Sequence, residues 1–271
     1  MKAALIQMRT VADKAENLRH ARELIDEAAK NGADICVLPE MFCCEYRNRS
    51  FIENQEPAGG PAWQMLSAAA RENHVWLIGG SVPEAEDGKL YNTAFVFDRE
   101  GNQVARCRKS HLFDIAVEGG QHFKESATFT PGNEICSFDT EFGKLGLCIC
   151  FDMRFPELAR IMSLDGAWAV FCPASFNMTT GPAHWEIMFR SRAVESQVYT
   201  LGCAPARDEQ GSYVSYANSI AVSPWGDILA RADAEETTLY VELDPAYVES
   251  IRAQLPLMSA RRTDMYRLER I

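Results

Sequence analysis

Cys150 stands where the apolar run Leu145-Gly146-Leu147-Cys148-Ile149 gives way to Phe151-Asp152-Met153-Arg154-Phe155-Pro156-Glu157. That is the pattern of a strand turning sharply into a helix. Such an elbow holds a nucleophile clear of the sheet, aims the next backbone N–H at a developing oxyanion, and sets the thiol beside a helix N-terminus that favours the thiolate. A buried structural cysteine is the competing reading, and it suits most of the nine cysteines in the chain. Glu40 closes the run Ile35-Cys36-Val37-Leu38-Pro39, and Lys109 ends Arg106-Cys107-Arg108. Taken singly, a capping carboxylate and a solvated basic run explain them equally well. The patterns G-x-S-x-G, G-x-G-x-x-G, H-E-x-x-H and the P-loop are absent, which removes the usual serine hydrolase, nucleotide and zincin chemistries. Cys148-x-Cys150 and Cys43-Cys44 lack C-x-x-C spacing and the histidines are dispersed, so no metal is expected.

The elements that must position these residues alternate between strand and helix. Ala3 to Gln7 is a short apolar strand, and Leu18, Ala21, Leu24, Ile25 and Ala28 recur at helical spacing before Asn31-Gly32. Ile35 to Leu38 is apolar throughout, as expected of a strand buried on both faces, so Glu40 falls at a strand's C-terminal end. A helix over 62–72 and a strand over 75–78 follow. Then 91–98 and 103–108 flank Arg99-Glu100-Gly101-Asn102, a hairpin turn that makes the sheet mixed. Further strands are expected at 145–149, 169–172, 198–203, 219–222, 228–231 and 238–243, with helices over 156–164 and 182–197. No Pro/Ser-rich linker divides the chain, which reads as one α/β domain over residues 1–271 with helices covering the outer faces of packed sheets.

Composition narrows the partners. Lys+Arg 27 against Asp+Glu 38 gives a net charge of -11, which opposes attraction to nucleic acid or anionic membrane and favours a small-molecule partner. No segment approaches the roughly 20 apolar residues of a membrane helix. The odd, scattered cysteines fit a reducing cytoplasm rather than a secreted disulfide framework.

Three separated segments, Leu38-Pro39-Glu40, Arg108-Lys109-Ser110-His111-Leu112-Phe113 and Gly146 to Glu157, together resemble the nitrilase superfamily of carbon-nitrogen hydrolases, whose catalytic triad runs in the order Glu, Lys, Cys. The similarity extends through Phe123-Lys124-Glu125-Ser126, the stretch Thr179 to Glu186 and Arg261 to Tyr266. Lys109 to Ile115, Phe176 to Glu186 and Pro205-Ala206-Arg207-Asp208 look most like the omega-amidase branch, whose members hydrolyse the terminal amide of 2-oxo acids such as 2-oxoglutaramate and 2-oxosuccinamate. The resemblance implies a four-layer αββα sandwich, no cofactor, and homodimers or larger homo-oligomers.

It also implies roles. Cys150 is the nucleophile that forms a thioester, Glu40 the base, Lys109 with the Phe151 N–H the oxyanion holder, and Glu125 the second glutamate beside the triad. Arg154 would reach a substrate carboxylate, with Tyr46, Phe151, Phe176 and Thr180 around the pocket. An Arg154–Asp152 ion pair that only braces the elbow is the alternative. His184 and Glu186 read as support for the site or a dimer contact. Glu45, in a loop that departs from its relatives, would repel a substrate carboxylate if it faced the pocket. The other activities open at this point are amidases acting on deaminated glutathione, N-carbamoyl compounds or simple carboxamides, and, in a different class, a noncatalytic scaffold of the same fold.

Overall fold

A computed structural model describes residues 1–271. Strands β1 (Lys2–Gln7), β2 (Ile35–Val37), β3 (Trp76–Ile78), β4 (Val82–Glu86), β5 (Lys89–Phe97) and β6 (Gln103–Arg108) build the first sheet, followed by a small separate hairpin of β7 (Asp114–Ala116) and β8 (His122–Lys124). The second sheet takes β9 (Cys136–Thr140), β10 (Gly143–Leu147), β11 (Ala169–Pro173), β12 (Tyr199–Cys203), β13 (Ile220–Val222) and β14 (Ile228–Arg231), and β15 (Thr237–Glu242) returns to pair with β1. Their spatial orders are β15-β1-β2-β3-β5-β4, with β6 on β5, and β14-β13-β12-β11-β10-β9. Each sheet has a parallel centre, β1-β2-β3 and β10-β11-β12, flanked by antiparallel strands.

The helices are α1 (Lys14–Lys30), α2 (Asn48–Glu53), α3 (Pro61–Asn73), α4 (Pro156–Leu164), α5 (Gly181–Ser196) and α6 (Pro245–Gln254). Alternation along the central strands explains the layering. Ala3, Leu5, Ile35 and Val37 belong to the core shared with Leu145, Leu147 and Val170 of the second sheet, whereas Ala4, Ile6, Cys36 and Leu38 face the core shared with Ala21, Ile25, Leu66 and Ala69 of α1 and α3. A strand pressed between helices and a second sheet has no polar face, hence the unbroken apolar runs. Trp185, Phe189 and Ala193 of α5 complete the opposite outer layer, giving the order helix, sheet, sheet, helix. No helix is long and apolar enough to cross a membrane.

Local chemistry sets the helix ends. Asp13 caps α1 by accepting from the Ala15 and Glu16 N–H groups, and α4 carries Pro156 at its first position. The expected helix over 156–164 and strands over 103–108 and 228–231 coincide with α4, β6 and β14, while the strand expected over 145–149 starts and stops two residues earlier, leaving Cys148 and Ile149 as a connector. Elements β4, β7, β8, β9, α2 and α6 were not expected from the sequence.

Phe189 is fully buried against Trp185, with ring centroids 4.6 Å apart. Phe189→Ala should lower the unfolding free energy by about 3–5 kcal/mol, the usual cost of the cavity that such a truncation leaves; urea or guanidinium midpoints check this, and a cost below about 1 kcal/mol would show that α5 does not anchor the second sheet.

Candidate active site

Glu40, Lys109 and Cys150 follow the C-terminal ends of three strands, β2, β6 and β10. Glu40 precedes Met41, whose φ of +54° turns the chain abruptly, and Gly80 packs behind it so closely that a Cβ there would lie 2.2 Å from the Pro39 carbonyl oxygen. Cys150 itself has φ +48°, in the left-handed region that costs an ordinary residue roughly 1–2 kcal/mol. It opens a single 3-10 turn over Cys150–Arg154 that leads into α4. The expected elbow is present, with its strain at the nucleophile.

Two side chains hold that elbow. Asp152, 2% exposed, accepts hydrogen bonds from the Ile149, Ser110 and His111 N–H groups at 3.1, 3.4 and 2.8 Å and contacts the His111 ring at 2.8 Å. Buried Arg192 of α5 donates to the carbonyls of Met153 and Arg154 at 2.9 and 2.8 Å. Asp152 therefore ties the segment after Lys109 to the elbow at Cys150. The proposed Arg154–Asp152 brace is absent, and Arg192 performs that task instead.

Lys109 is the hub. Its Nζ donates to Glu40 Oε1 at 2.8 Å and to Glu125 Oε1 at 3.1 Å, lies 2.8 Å from Glu125 Oε2, and all three side chains are fully buried. Asn92, on the neighbouring strand β5, divides its amide N–H groups between Glu40 Oε1 at 2.9 Å and Glu125 Oε1 at 3.1 Å. The Phe113 N–H donates to Glu125 at 2.5 Å, and the Tyr46 hydroxyl donates to Glu40 Oε1 at 3.3 Å. Glu40 Oε2 has no hydrogen-bond donor in the protein. It is the oxygen left free to take a proton.

The electrostatics follow from burial and from two carboxylates sharing one cation. Burial favours a neutral Lys109, but Glu125 and Glu40 together outweigh it and hold its pKa well above the ordinary lysine value. Burial raises the Glu40 pKa; Lys109 draws it back and Glu125 pushes it up again, leaving it above the usual carboxylate range. Burial and the Glu40 charge push the Cys150 thiol well above its ordinary value, against opposing pulls from Lys109 and the Ser175 backbone. The pull toward thiolate expected of the helix N-terminus is opposed here by desolvation and by an adjacent carboxylate, at a 3-10 start of a single turn.

Around this cluster lie the expected pocket residues. The Arg154 guanidinium sits 4.7 Å from the Phe176 ring centroid and 5.5 Å from that of Phe151, and its Nη1 contacts His184 Nδ1 at 3.0 Å. No carboxylate pairs with it, its Nε is buried without a partner, and burial lowers its pKa. Thr180 precedes α5, with its hydroxyl and N–H both donating to Asn177 Oδ1. Tyr46 packs against Tyr213 at 4.6 Å between ring centroids. Glu45 lines a cavity beside Glu40 and pairs with Arg47 at 2.5 Å, so its charge is compensated. Glu186 pairs with Arg231 and Arg190, outside the cluster. Sequence reasoning missed Asn92, Arg192 and Tyr213. Only the polar Asn92 inside the apolar run Leu90 to Phe97 carried a local signal.

Two buried thiols tie the sheets together at this site. Cys107, two residues before Lys109, donates to the Leu147 carbonyl at 3.5 Å, and Cys203 of β12 donates to the Val37 carbonyl at 3.2 Å.

The carbon-nitrogen hydrolase family profile matches residues 2–253. Omega-amidase NIT2 of Mus musculus is 46% identical over 266 residues, covering 98% of this chain and 96% of its own length. Hydrolase C26A3.11 of Schizosaccharomyces pombe is 44% identical, with coverage of 97% and 82%. Among solved structures, Nit3 of Saccharomyces cerevisiae, a member of branch 10 of the nitrilase superfamily, superimposes with a TM-score of 0.89 at 39% identity, covering 97% of this chain and 96% of that one. The amidase of Nesterenkonia sp. AN1, solved after Michael addition of acrylamide at its active site cysteine, aligns at 27% identity and a TM-score of 0.77 over 94% and 98% of the two chains. With a profile spanning nearly its whole length, close relatives of full coverage and the same αββα architecture, this chain belongs to the carbon-nitrogen hydrolase family of the nitrilase superfamily.

Proposed function

We propose that this enzyme is an omega-amidase, releasing ammonia from the terminal amide of short 2-oxo dicarboxylic acid monoamides such as 2-oxoglutaramate and 2-oxosuccinamate through a Cys150 thioester. The observation that carries this reading is Arg154: a guanidinium close to the nucleophile, stacked on Phe176 and free of any carboxylate partner. A desolvated planar cation is a costly feature unless an anion completes it, and a substrate carboxylate fits its fork. The likeness to the NIT2 omega-amidases supports the same substrate class.

The chemistry follows from the cluster. An amide is a weak electrophile with a poor leaving group, so it needs a nucleophile, a proton carrier and a stabilised oxyanion. Cys150 attacks the amide carbon as Glu40 takes the thiol proton. Lys109 and the Phe151 N–H hold the oxyanion. As the C–N bond breaks, Glu40 returns the proton to nitrogen and ammonia leaves. Water then attacks the thioester, giving a proton to Glu40, and the C–S bond breaks to release the acid and restore the thiol. Glu125 keeps Lys109 charged throughout, while Phe151, Phe176, Tyr46 and Thr180 shape the acyl pocket. The nine free cysteines fit a reducing cytoplasmic setting. A homodimer contact is supported by Ile187 and Trp225, 61% and 55% exposed on one groove along α5.

Cys150→Ala should abolish ammonia release with the fold intact, while Cys148→Ala retains substantial activity; mass spectrometry of the trapped acyl-enzyme locates the adduct, and an adduct on Cys148 would reverse the assignment. The pH profile tests the charge arrangement. Activity requires ionised Glu40, so kcat/KM falls as pH drops through its raised pKa. Glu125→Gln removes a like charge that raises this pKa, so the acid limb should move to lower pH even as the rate drops; an upward shift would refute the arrangement. Arg154→Met should cut kcat/KM for 2-oxoglutaramate by about ten- to a hundredfold or more, on the usual worth of a charge-assisted hydrogen bond, and largely spare an uncharged carboxamide of equal length. Equal losses on both substrates, with a lowered melting temperature, would assign Arg154 to structure and defeat the omega-amidase reading.

A further inference from the structure

Glu40 has a second neighbourhood, on the side away from Lys109. A cavity of about 60 Å³ is lined by Glu40 and Tyr46 together with Thr10, Ser175, Ala206 and Ser215. Arg154, Phe151, Phe176 and Thr180 take no part in its walls, and Tyr46 is the one acyl-pocket residue that borders both spaces. Glu40 is 2% exposed, its Oε1 is enclosed by Lys109, Asn92 and Tyr46, and its Oε2 has no donor in the protein. Thr10 Oγ1, also buried, likewise lacks a partner. A buried carboxylate oxygen without a donor is expensive, and a polar cavity large enough for water offers the remedy: one water needs only about 10–15 Å³ measured this way and two or more polar partners. The cavity therefore has room for several.

Its position relative to the nucleophile matters equally. Of the four residues that bear on the Cys150 thiol, Glu40, Lys109, Ser175 and Cys172, Glu40 and Ser175 line the cavity. The Tyr213 hydroxyl donates to the Ser175 carbonyl, and the Tyr46–Tyr213 pair separates the cavity from an outer basin bordered by Phe123, Asn177 and Thr179. Water held there would lie against Glu40, in a space that Arg154, Phe151 and Phe176 do not border.

We propose that this cavity is the binding site of the hydrolytic water, which Glu40 draws from behind to cleave the thioester while the acyl group fills the Arg154 side. In that step the water oxygen bonds to the thioester carbon, one water proton passes to Glu40, and the C–S bond breaks; the sulfur then recovers the proton from Glu40. The proposal rests on the amidase reading of Cys150 and Glu40.

Narrowing the cavity should slow deacylation and leave acylation alone. Thr10→Met and Ala206→Leu enter it from different segments of the chain, and thermal melting establishes which is folded. With 2-oxoglutaramate as the probe, rapid quench measures the first-turnover burst of ammonia, and intact-mass spectrometry follows the thioester. In the folded variants the burst should keep its rate at about one ammonia per site, while thioester decay slows by about ten- to a hundredfold, the usual penalty for a misplaced reactant. kcat and KM then fall together with kcat/KM preserved. Thioester decay at the wild-type rate in a folded variant, or an ammonia burst slowed as much as the decay, would overturn the cavity's role while leaving the amidase reading standing. A wild-type enzyme that releases ammonia without ever forming a thioester would overturn both.

Discussion

A single ammonium between two buried carboxylates governs the site. Lys109, Glu40 and Glu125 have no solvent access, so each depends on the others for compensation, and removing one partner from such a set typically costs about 3–5 kcal/mol. One positive and two negative charges leave the cluster net negative before Cys150 is counted. Ionising the thiol would add a third negative charge in the same enclosure. Under the proposed mechanism the proton therefore moves at the moment of attack, with the free oxygen of Glu40 as its destination.

The peptide architecture serves this constraint. Asn92 fixes the gap between the two glutamates with neutral donors, and its own carbonyl accepts from the Lys109 N–H at 2.9 Å, so one residue sets both the lysine's main chain and its partners. Across the gap, Asp152 accepts from amides on both the Lys109 and the Cys150 segments. Positive φ at Met41 and at Cys150 turns the two reacting side chains out of their strands.

Much of this was legible in the sequence, for identifiable reasons. Glu40, Lys109 and Cys150 each end a run with a recognisable strand pattern, and their order and neighbouring residues matched a family. The central strands were legible because burial on both faces leaves no polar position. The hairpin β7–β8 and strand β9 were not, since they are mostly exposed and short, with no periodicity to detect. Helix α6 escaped because its apolar face is weak, although Asp244-Pro245 carried a capping signal. Asn92 was hidden for another reason: its partner Glu40 lies 52 residues away, and its role exists only once β5 lies beside Lys109. The burial that pushes the Cys150 thiol up was hidden as well, because local sequence reveals a helix start but not the desolvation around it.

Glu40 and Cys150, the proposed base and nucleophile, are presented from different sheets, so the packing between those sheets sets how they meet. Cys107 and Cys203 span that interior with hydrogen bonds to Leu147 and Val37, acting as struts next to the very segments that present Cys150, Lys109 and Glu40. Under the proposed mechanism, interior side-chain volume would then be a kinetic quantity as well as a stabilising one: a methyl group gained or lost between the sheets would reset the reach of the proton transfer, with the buried thiols as spacers.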